Sequence, residues 1–300
     1  QNISLSYKNN LPAQGLLAHS LVENGLLLMI PNEGNNSETY SIELEAQAPL
    51  AVAYILIIAQ ENSKGSIVIH HKENAPSHTI VNVICEAQST MEVLLCEPQT
   101  AQPHYSQVSS TVGNRAKFKL LHLVRNSAML QSYIATQAVG EQAQISQNHI
   151  VFGARDNKHD LYSEINHSGA HSESKLQSKV ILRDQAHTIY RGMSGIEPTA
   201  QGCSSQQKEQ TLLLNPGAKI DVVPTLAITN DTIQCTHSAS ISSLDSEQLF
   251  YLQSRGFSYE EAESLIIQGF YSDILKQFSN LALCSLIHDY ISPVTYKSKS

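Results

Sequence analysis

Ala116-Lys-Phe-Lys-Leu-Leu-His-Leu-Val124 is the stretch on which the fold turns. It follows the turn-forming Val112-Gly-Asn-Arg115, and a short apolar run bounded by such residues reads as a strand. The same phrase, a turn followed by Ala, a polar residue and an apolar one, returns at Ala143-Gln-Ile145, Ala186-His-Thr-Ile189 and Ala218-Lys-Ile220. Its spacing varies, so there is no strict sequence repeat. Further strand-like runs lie outward on both sides: Ser66-Ile-Val-Ile-His70, Thr79-Ile-Val-Asn-Val-Ile84, Met91-Glu-Val-Leu-Leu95, Lys179-Val-Ile-Leu182, Gln210-Thr-Leu-Leu-Leu214 and Lys219-Ile-Asp-Val-Val223. Turn residues separate them, as in Val139-Gly-Glu-Gln142, Ser168-Gly-Ala-His171 and Asn215-Pro-Gly217. Residues 49–241 are therefore predicted as an all-β region. Two architectures fit, an antiparallel sandwich or barrel and a parallel β-helix. Few turns carry the Asn-Gly or Asp-Gly hairpin signal, which weakens the antiparallel reading. A β-helix places an apolar side chain inward at each rung and tolerates ladders of Gln, Asn, Ser and His outside.

The flanks read differently. Residues 1–48 are mixed, with a short helical turn at Leu16-Leu-Ala-His-Ser-Leu-Val22, a strand at Gly25-Leu-Leu-Leu-Met-Ile-Pro31 stopped by proline, and a polar turn at Glu33-Gly-Asn-Asn-Ser-Glu38. Residues 242–300 change to a period of 3.6 and are predicted as a small helical region. Asp245-Ser-Glu-Gln248 has the form of a capping box; Leu249, Phe250 and Leu252 supply its apolar stripe, and Gly256 stands at the expected C-cap. Ser258-Tyr-Glu-Glu261 opens a second helix with Ala262, Leu265, Ile266, Phe270, Ile274 and Leu275 on one face. A third helix is predicted over 279–291, before Pro293.

Composition narrows the function classes. Charged residues make up only 15% of the 300, and the net charge of -8 argues against a sequence-independent grip on nucleic acid. The longest apolar run, 49–59, is short of the roughly 20 residues that span a bilayer, and reads as a buried strand. No secretory signal pattern is present in these residues. The five cysteines, Cys85, Cys96, Cys203, Cys235 and Cys284, form no CxxC pair and suit reduced thiols in a cytoplasmic setting. The chain begins at Gln1 rather than Met, and is read as lacking an N-terminal region.

Enzymatic signatures are sparse. There is no GxxxxGK[ST], G-x-S-x-G or H-E-x-x-H. Thirteen histidines are scattered, and His70-His71 is read as a solvated pair at a strand end rather than a ligand set. In Ile233-Gln-Cys-Thr-His237, residues two apart on a strand share a face, so Cys235 and His237 would present a thiol and an imidazole together. Both suit iron and iron–sulfur species. On spacing alone, a core cysteine and an edge-bonded histidine are the simpler reading, and two ligands leave a four-coordinate site incomplete. Cys203 is read as a bystander in a nearby turn.

The run Ile233-Gln-Cys-Thr-His-Ser-Ala-Ser-Ile-Ser-Ser-Leu-Asp-Ser-Glu-Gln-Leu-Phe-Tyr-Leu-Gln-Ser-Arg-Gly-Phe257 resembles the C-terminal signature of the SufB/SufD family of iron–sulfur cluster assembly proteins. That signature joins Cys-x-His-Gly-Ala-Thr to a Leu-Phe-Tyr-Leu-x-Ser-Arg-Gly run. Asn166-His-Ser168, Leu212-Leu-Leu214, Ala218-Lys-Ile220 and Pro224-Thr-Leu-Ala-Ile228 resemble the family's rungs in order and spacing. The resemblance implies a mainly β chain, a right-handed parallel β-helix with a small C-terminal α-helical region. It implies assembly with SufB and the SufC ATPase, with a homodimer possible in isolation and no nucleic-acid or membrane partner. It also implies a non-catalytic subunit that holds no cofactor tightly by itself but shares a transient iron–sulfur cluster in the complex. Carried over, the cluster-site residues are His237 with Cys235 as its neighbour, and Leu249, Phe250, Tyr251, Arg255, Gly256 and Phe270 fall in the region that docks SufC. The run Gln206-Gln-Lys-Glu-Gln-Thr-Leu-Leu-Leu214 lacks the scaffold cysteine of SufB-type chains, which points to the SufD branch. His167 matches a recurrent family histidine, for which a hydrogen-bonded rung residue is an equal account. Two positions depart from the pattern: Ser238 replaces the Gly after the histidine, and Ser240 replaces the Thr. A carbohydrate-active β-helix and a degenerate scaffold that binds SufC alone are the alternatives; aromatics at 6% and few acidic pairs disfavour the first.

Overall fold

Parallel strands cannot be joined by a tight hairpin, so each return must cross to another layer. Here the return is itself a strand. A computed structural model describes residues 25–32, 38–45, 51–71 and 77–278. Among them, sixteen strands alternate between two eight-stranded sheets. Sheet A stacks β1 (Leu26–Ile30), β3 (Val52–Ala59), β5 (His78–Cys85), β7 (Pro103–Val112), β9 (Met129–Ala138), β11 (Lys158–His167), β13 (His187–Ile196) and β15 (Lys219–Ile228). Sheet B stacks β2 (Glu38–Leu44), β4 (Lys64–His71), β6 (Thr90–Cys96), β8 (Lys117–Arg125), β10 (Gln144–Gly153), β12 (Glu173–Leu182), β14 (Ser204–Leu213) and β16 (Gln234–Ser243). Neighbours pair in parallel: Lys117 of β8 lies opposite Thr90 of β6 on one side and Gln144 of β10 on the other. The chain is a parallel β-solenoid, and the antiparallel alternative falls.

The recurring Ala phrase marks the corners. On the corner from sheet A to sheet B, Asn62, Gln88, Arg115, Gln142, His171 and Gly202 all take positive φ. Left-handed backbone costs a non-glycine residue about 1–2 kcal/mol. Each pays that by donating its N–H to the next coil, as Arg115 does to the Glu141 carbonyl at 2.8 Å. The residue that follows is small and buried, giving a stack of Ser63, Ser89, Ala116, Ala143, Ser172 and Cys203. Ala186 and Ala218 belong to the opposite corner, which explains the irregular spacing of the phrase. Coils approach so closely here that a Cβ on Gly140 would overlap the backbone of Gly113, and one on Gly169 that of Gly140.

The ladder reaches beyond the boundaries drawn from sequence. β1 and β2 pair with β3 and β4, so the solenoid begins within the segment 1–48 rather than at 49, and β16 carries it to Ser243 rather than 241. Short strands whose turns are polar do not announce a separate fold from their neighbours. The helical turn read at 16–22, the turn residues 33–37 and the helix read at 279–291 lie outside the described residues.

Four apolar clusters form among the described residues, and two of them position the site and the helices. Ile55, Ile57, Ile67, Val93, Leu95, Phe118, Leu120 and Ile134 fill the interior between the sheets. Val68, Leu94, Leu121, Leu123, Ile150, Phe152, Ile181 and Leu212 face out from sheet B and are covered by a helix. Alternate residues of Leu120-Leu121-His122-Leu123 thus serve different cores. The expectation of polar ladders confined to the outside needs correction: His122, His149, Gln147, Ser163 and His167 are buried inside.

Two helices follow. α1 (Ser246–Ser254) is capped by Asp245, which accepts from the Glu247 and Gln248 N–H groups, and it closes at Gly256 with φ 97°. The Phe257 N–H reaches the Leu252 carbonyl and the Gly256 N–H the Gln253 carbonyl, a Schellman motif. α2 (Tyr259–Leu275) has a complete capping box between Ser258 and Glu261. Its buried face is Ala262, Ile267, Tyr271 and Ile274, continued by Phe278, whereas Leu265 is 41% exposed. The predicted face is therefore rotated, because α2 lies across the outward rows of sheet B. Arg183 pairs with Glu263 at 2.8 Å and Lys179 with Asp273 at 3.3 Å along this seam. Each large apolar side chain buried there contributes about 1.5–3 kcal/mol.

Candidate functional site

β16 is the terminal strand of sheet B and is bonded to β14 along one edge. The register sets Cys235 opposite Ser205 and His237 opposite Gln207. Ser205 and Gln207 point into the coil and are buried, so Cys235 and His237 share the inward face, at the mouth of the last coil. Gln234 and Thr236 look the other way, into a shallow groove on the outside of sheet B with Ser204 and Gln206.

The imidazole is held from below. His237 Nε2 lies 3.1 Å from Glu209 Oε2, and the Glu209 side chain is 3% exposed. The other carboxylate oxygen accepts from Gln207 Nε2 at 2.5 Å, and Gln207 Oε1 accepts from the Ser194 hydroxyl at 3.3 Å. The chain of contacts continues inward through Ser205, Ser174 and His167 Nε2, at 3.2, 3.0 and 2.8 Å. Gly192 on the facing sheet makes the room: a Cβ there would overlap the Gln207 amide. Burial pushes the Glu209 carboxyl above the usual carboxylate range, opposed by the Gln207 and His237 hydrogen bonds. When Nε2 carries the proton it donates to Glu209, and Nδ1 keeps its lone pair. A carboxylate that fixes the tautomer in this way is the usual support of a metal-binding histidine.

This arrangement, a Cys-x-His step on the last strand of a two-sheet parallel solenoid, coincides with a family match. The description "SUF system FeS cluster assembly, SufBD core domain" fits residues 42–270. The chain belongs to the SufB/SufD family. Its SufD-type character rests on similarity to the iron-sulfur cluster assembly protein SufD of Bacillus subtilis, 25% identical over 267 residues, which cover 86% of this chain and 61% of that protein. SufBD family proteins of Staphylococcus saprophyticus and Staphylococcus epidermidis are each 32% identical over 151 residues, half of this chain and 32% of theirs. The matches thus cover less than two thirds of each of these relatives, 61% of the first and about a third of the other two. Among the described residues, no helix is long and apolar enough to cross a membrane.

Within this SufD-type chain the described cysteines divide by exposure. Cys85 and Cys96 are buried and their thiols are pushed up to about 12 by that burial, which makes them inert packing groups. Cys203 is buried in the corner stack, 3.2 Å from the Ser172 hydroxyl and 3.3 Å from the Gly169 carbonyl. Cys235 is the one partly exposed cysteine among them. Partial burial raises its thiol, and the Ser205 hydroxyl pulls the other way. Cys284 lies outside the described residues.

The docking set splits in two. Phe250 is 73% and Tyr251 56% exposed on α1, so Phe250 does not belong to the buried stripe assigned to it. The Arg255 guanidinium lies over the Tyr251 ring at 5.1 Å, beside the bend at Gly256. Leu249 is buried, and Phe270 is half-buried beneath the Lys179 ammonium at 4.6 Å. These two serve the chain's own packing.

Sequence reading missed Glu209 and Gln207. The signal was present: the two stand two apart on the inward face of β14, an amide and a carboxylate opposite Leu176 and Ser178 of β12. His71 was also misjudged. Both histidines are half-buried, and the His71 ring turns inward, with Nδ1 2.8 Å from the Cys96 carbonyl and Nε2 2.8 Å from the Thr79 hydroxyl. His167 is a rung residue bonded to Ser172 and Ser174.

Proposed function

We propose that this chain is a non-catalytic scaffold subunit for iron–sulfur cluster assembly in the cytoplasm, pairing with SufB and binding the SufC ATPase. The observation that supports it is the His237 imidazole, oriented by buried Glu209 at the mouth of a coil whose strands have an open edge among the described residues. A second subunit laid against β15 and β16 brings its own ligands to within reach of that imidazole. Thiolates of the SufB partner hold the sulfur and iron, and His237 supplies one nitrogen, with Cys235 beside it. A nitrogen ligand leaves one corner less tightly held than an all-thiolate set, which suits a cluster that must move on. In this reading the cluster is cargo, shared transiently between subunits, and the isolated chain retains none. The same open edges accept a second copy of this chain when SufB is absent.

Phe250, Tyr251 and Arg255 on α1 are the surface offered to SufC. ATP-driven movement of SufC is transmitted through α1 and exposes the junction at the mouth. Anaerobic reconstitution with SufB and SufC, read by cluster absorbance and iron content, tests the site. His237→Ala is expected to reduce cluster yield at least tenfold, and Glu209→Gln to reduce it less, by releasing the imidazole from its partner. Unchanged yield and iron retention in His237→Ala rejects the role.

A further inference from the structure

We propose that His71, Glu97 and His104, far from the mouth of the last coil, form a binding site for a single divalent first-row transition metal ion. The site is built by register. β4 and β6 pair Ile69 with Leu95 on the inward face, so two residues further on His71 and Glu97 stand one above the other on that face. His104, near the start of β7, comes to them from sheet A. One ligand atom from each of the three lies within 4.8 Å of the others. His104 Nε2 and Glu97 Oε2 are 3.3 Å apart, close to the edge of about 3.4 Å that a tetrahedral site with bonds of about 2.1 Å requires.

The surroundings orient these donors as a metal site needs. A carbonyl can only accept, so the 2.8 Å contact to the Cys96 oxygen puts the proton of His71 on Nδ1. Its Nε2 therefore carries the lone pair, which the Thr79 hydroxyl meets at 2.8 Å. Ligating histidines characteristically give their other N–H to a carbonyl or carboxylate in this manner. Glu97 is supported too: its second oxygen lies 2.7 Å from His122 Nε2, and His122 Nδ1 lies 3.2 Å from His149 Nδ1. Glu97 and His104 are nearly inaccessible, whereas His71 is half-buried and marks the route of entry. Two imidazoles and one carboxylate with no thiolate suit iron(II), cobalt(II) or zinc(II), and they leave positions for water. The inference does not depend on the role proposed for His237.

The test uses the full chain, stripped with chelator under anaerobic conditions and titrated with Co(II). The expected result is one tightly bound equivalent whose d–d absorption lacks a thiolate-to-cobalt charge-transfer band. Cys235→Ser combined with His237→Ala should leave that equivalent in place. Glu97→Gln and His104→Ala should each weaken it at least tenfold. His71→Ala changes the least buried ligand and keeps the question open to decision should either core variant fail to fold; it should abolish the Co(II)-dependent rise in Tm seen with the unaltered chain. The proposal is overturned if Co(II) binds His71→Ala as tightly as the unaltered chain, if binding disappears with Cys235 and His237, or if the spectrum shows a thiolate ligand.

Discussion

The middle coils and the last coil are written in the same alphabet of strands, yet their burial differs. β10 and β12 each have a neighbour on both edges, and Ile150, Val151, Phe152, Val180 and Ile181 are all nearly inaccessible. Among the described residues β15 and β16 have a neighbour on one edge only, and Val223, Leu226, Ile228 and Ile241 are 40–55% exposed. A solenoid buries each coil against the next, so a coil with no successor among the described residues keeps apolar groups and a backbone edge exposed. Such an edge is a template for another chain. The middle of this molecule is therefore a stable body, and its end is a surface.

That contrast can be broken at several points. The largest effect is expected in the closed interior. Phe118→Ala should cost about 3–5 kcal/mol in urea unfolding, since the rungs above and below hold the cavity open. A loss under 1 kcal/mol would mean that the middle coils are loosely packed after all. Ile274→Ala removes a side chain from the second core, beneath α2, and should cost about 2–5 kcal/mol. Loss of the α2 contact with no change in the β signal, followed by circular dichroism, would show that helix and solenoid unfold separately.

Acid sharpens the comparison next. Burial holds His159 and His167 at about 4, below their ordinary value near 6.5. The unfolded chain binds protons at these groups where the folded chain does not. Their contribution is fully present above pH 6.5 and is lost as pH falls toward 4. At pH 5 each should cost about 2 kcal/mol of stability. Replacing His167 by Gln should flatten the fall in urea midpoint between pH 7 and pH 5; an unaltered slope would place the sensitivity elsewhere. The smallest effect on folding is expected at the end. Ile241→Lys should change stability by less than about 0.5 kcal/mol, because its side chain is already exposed. It should nonetheless weaken association with a second subunit, measured by sedimentation, because it sets a charge on the open edge. Intact association would move the interface away from β16.

The helix starts at Asp245 and Ser258 and the bend at Gly256 were legible because capping is local: one side chain and three backbone groups suffice. The face of α2 was not, since Leu265 and Ile267 are equivalent in sequence and only sheet B decides which is covered. The Cys235 and His237 pair could be placed on one face from strand geometry. Glu209 could not be joined to His237, because their contact depends on how many residues one coil takes. The inward turn of His71 was hidden for the same reason.

Sequence alone determined the β-rich body, the change of period near residue 242, the corner residues and the family to which the chain belongs, all of them properties of short windows. Tertiary structure alone decided which residues share a rung, because coil length varies with each corner and a change of one residue reverses the face on which a side chain stands. The Glu209–His237 contact and the His71, Glu97 and His104 cluster are products of that register.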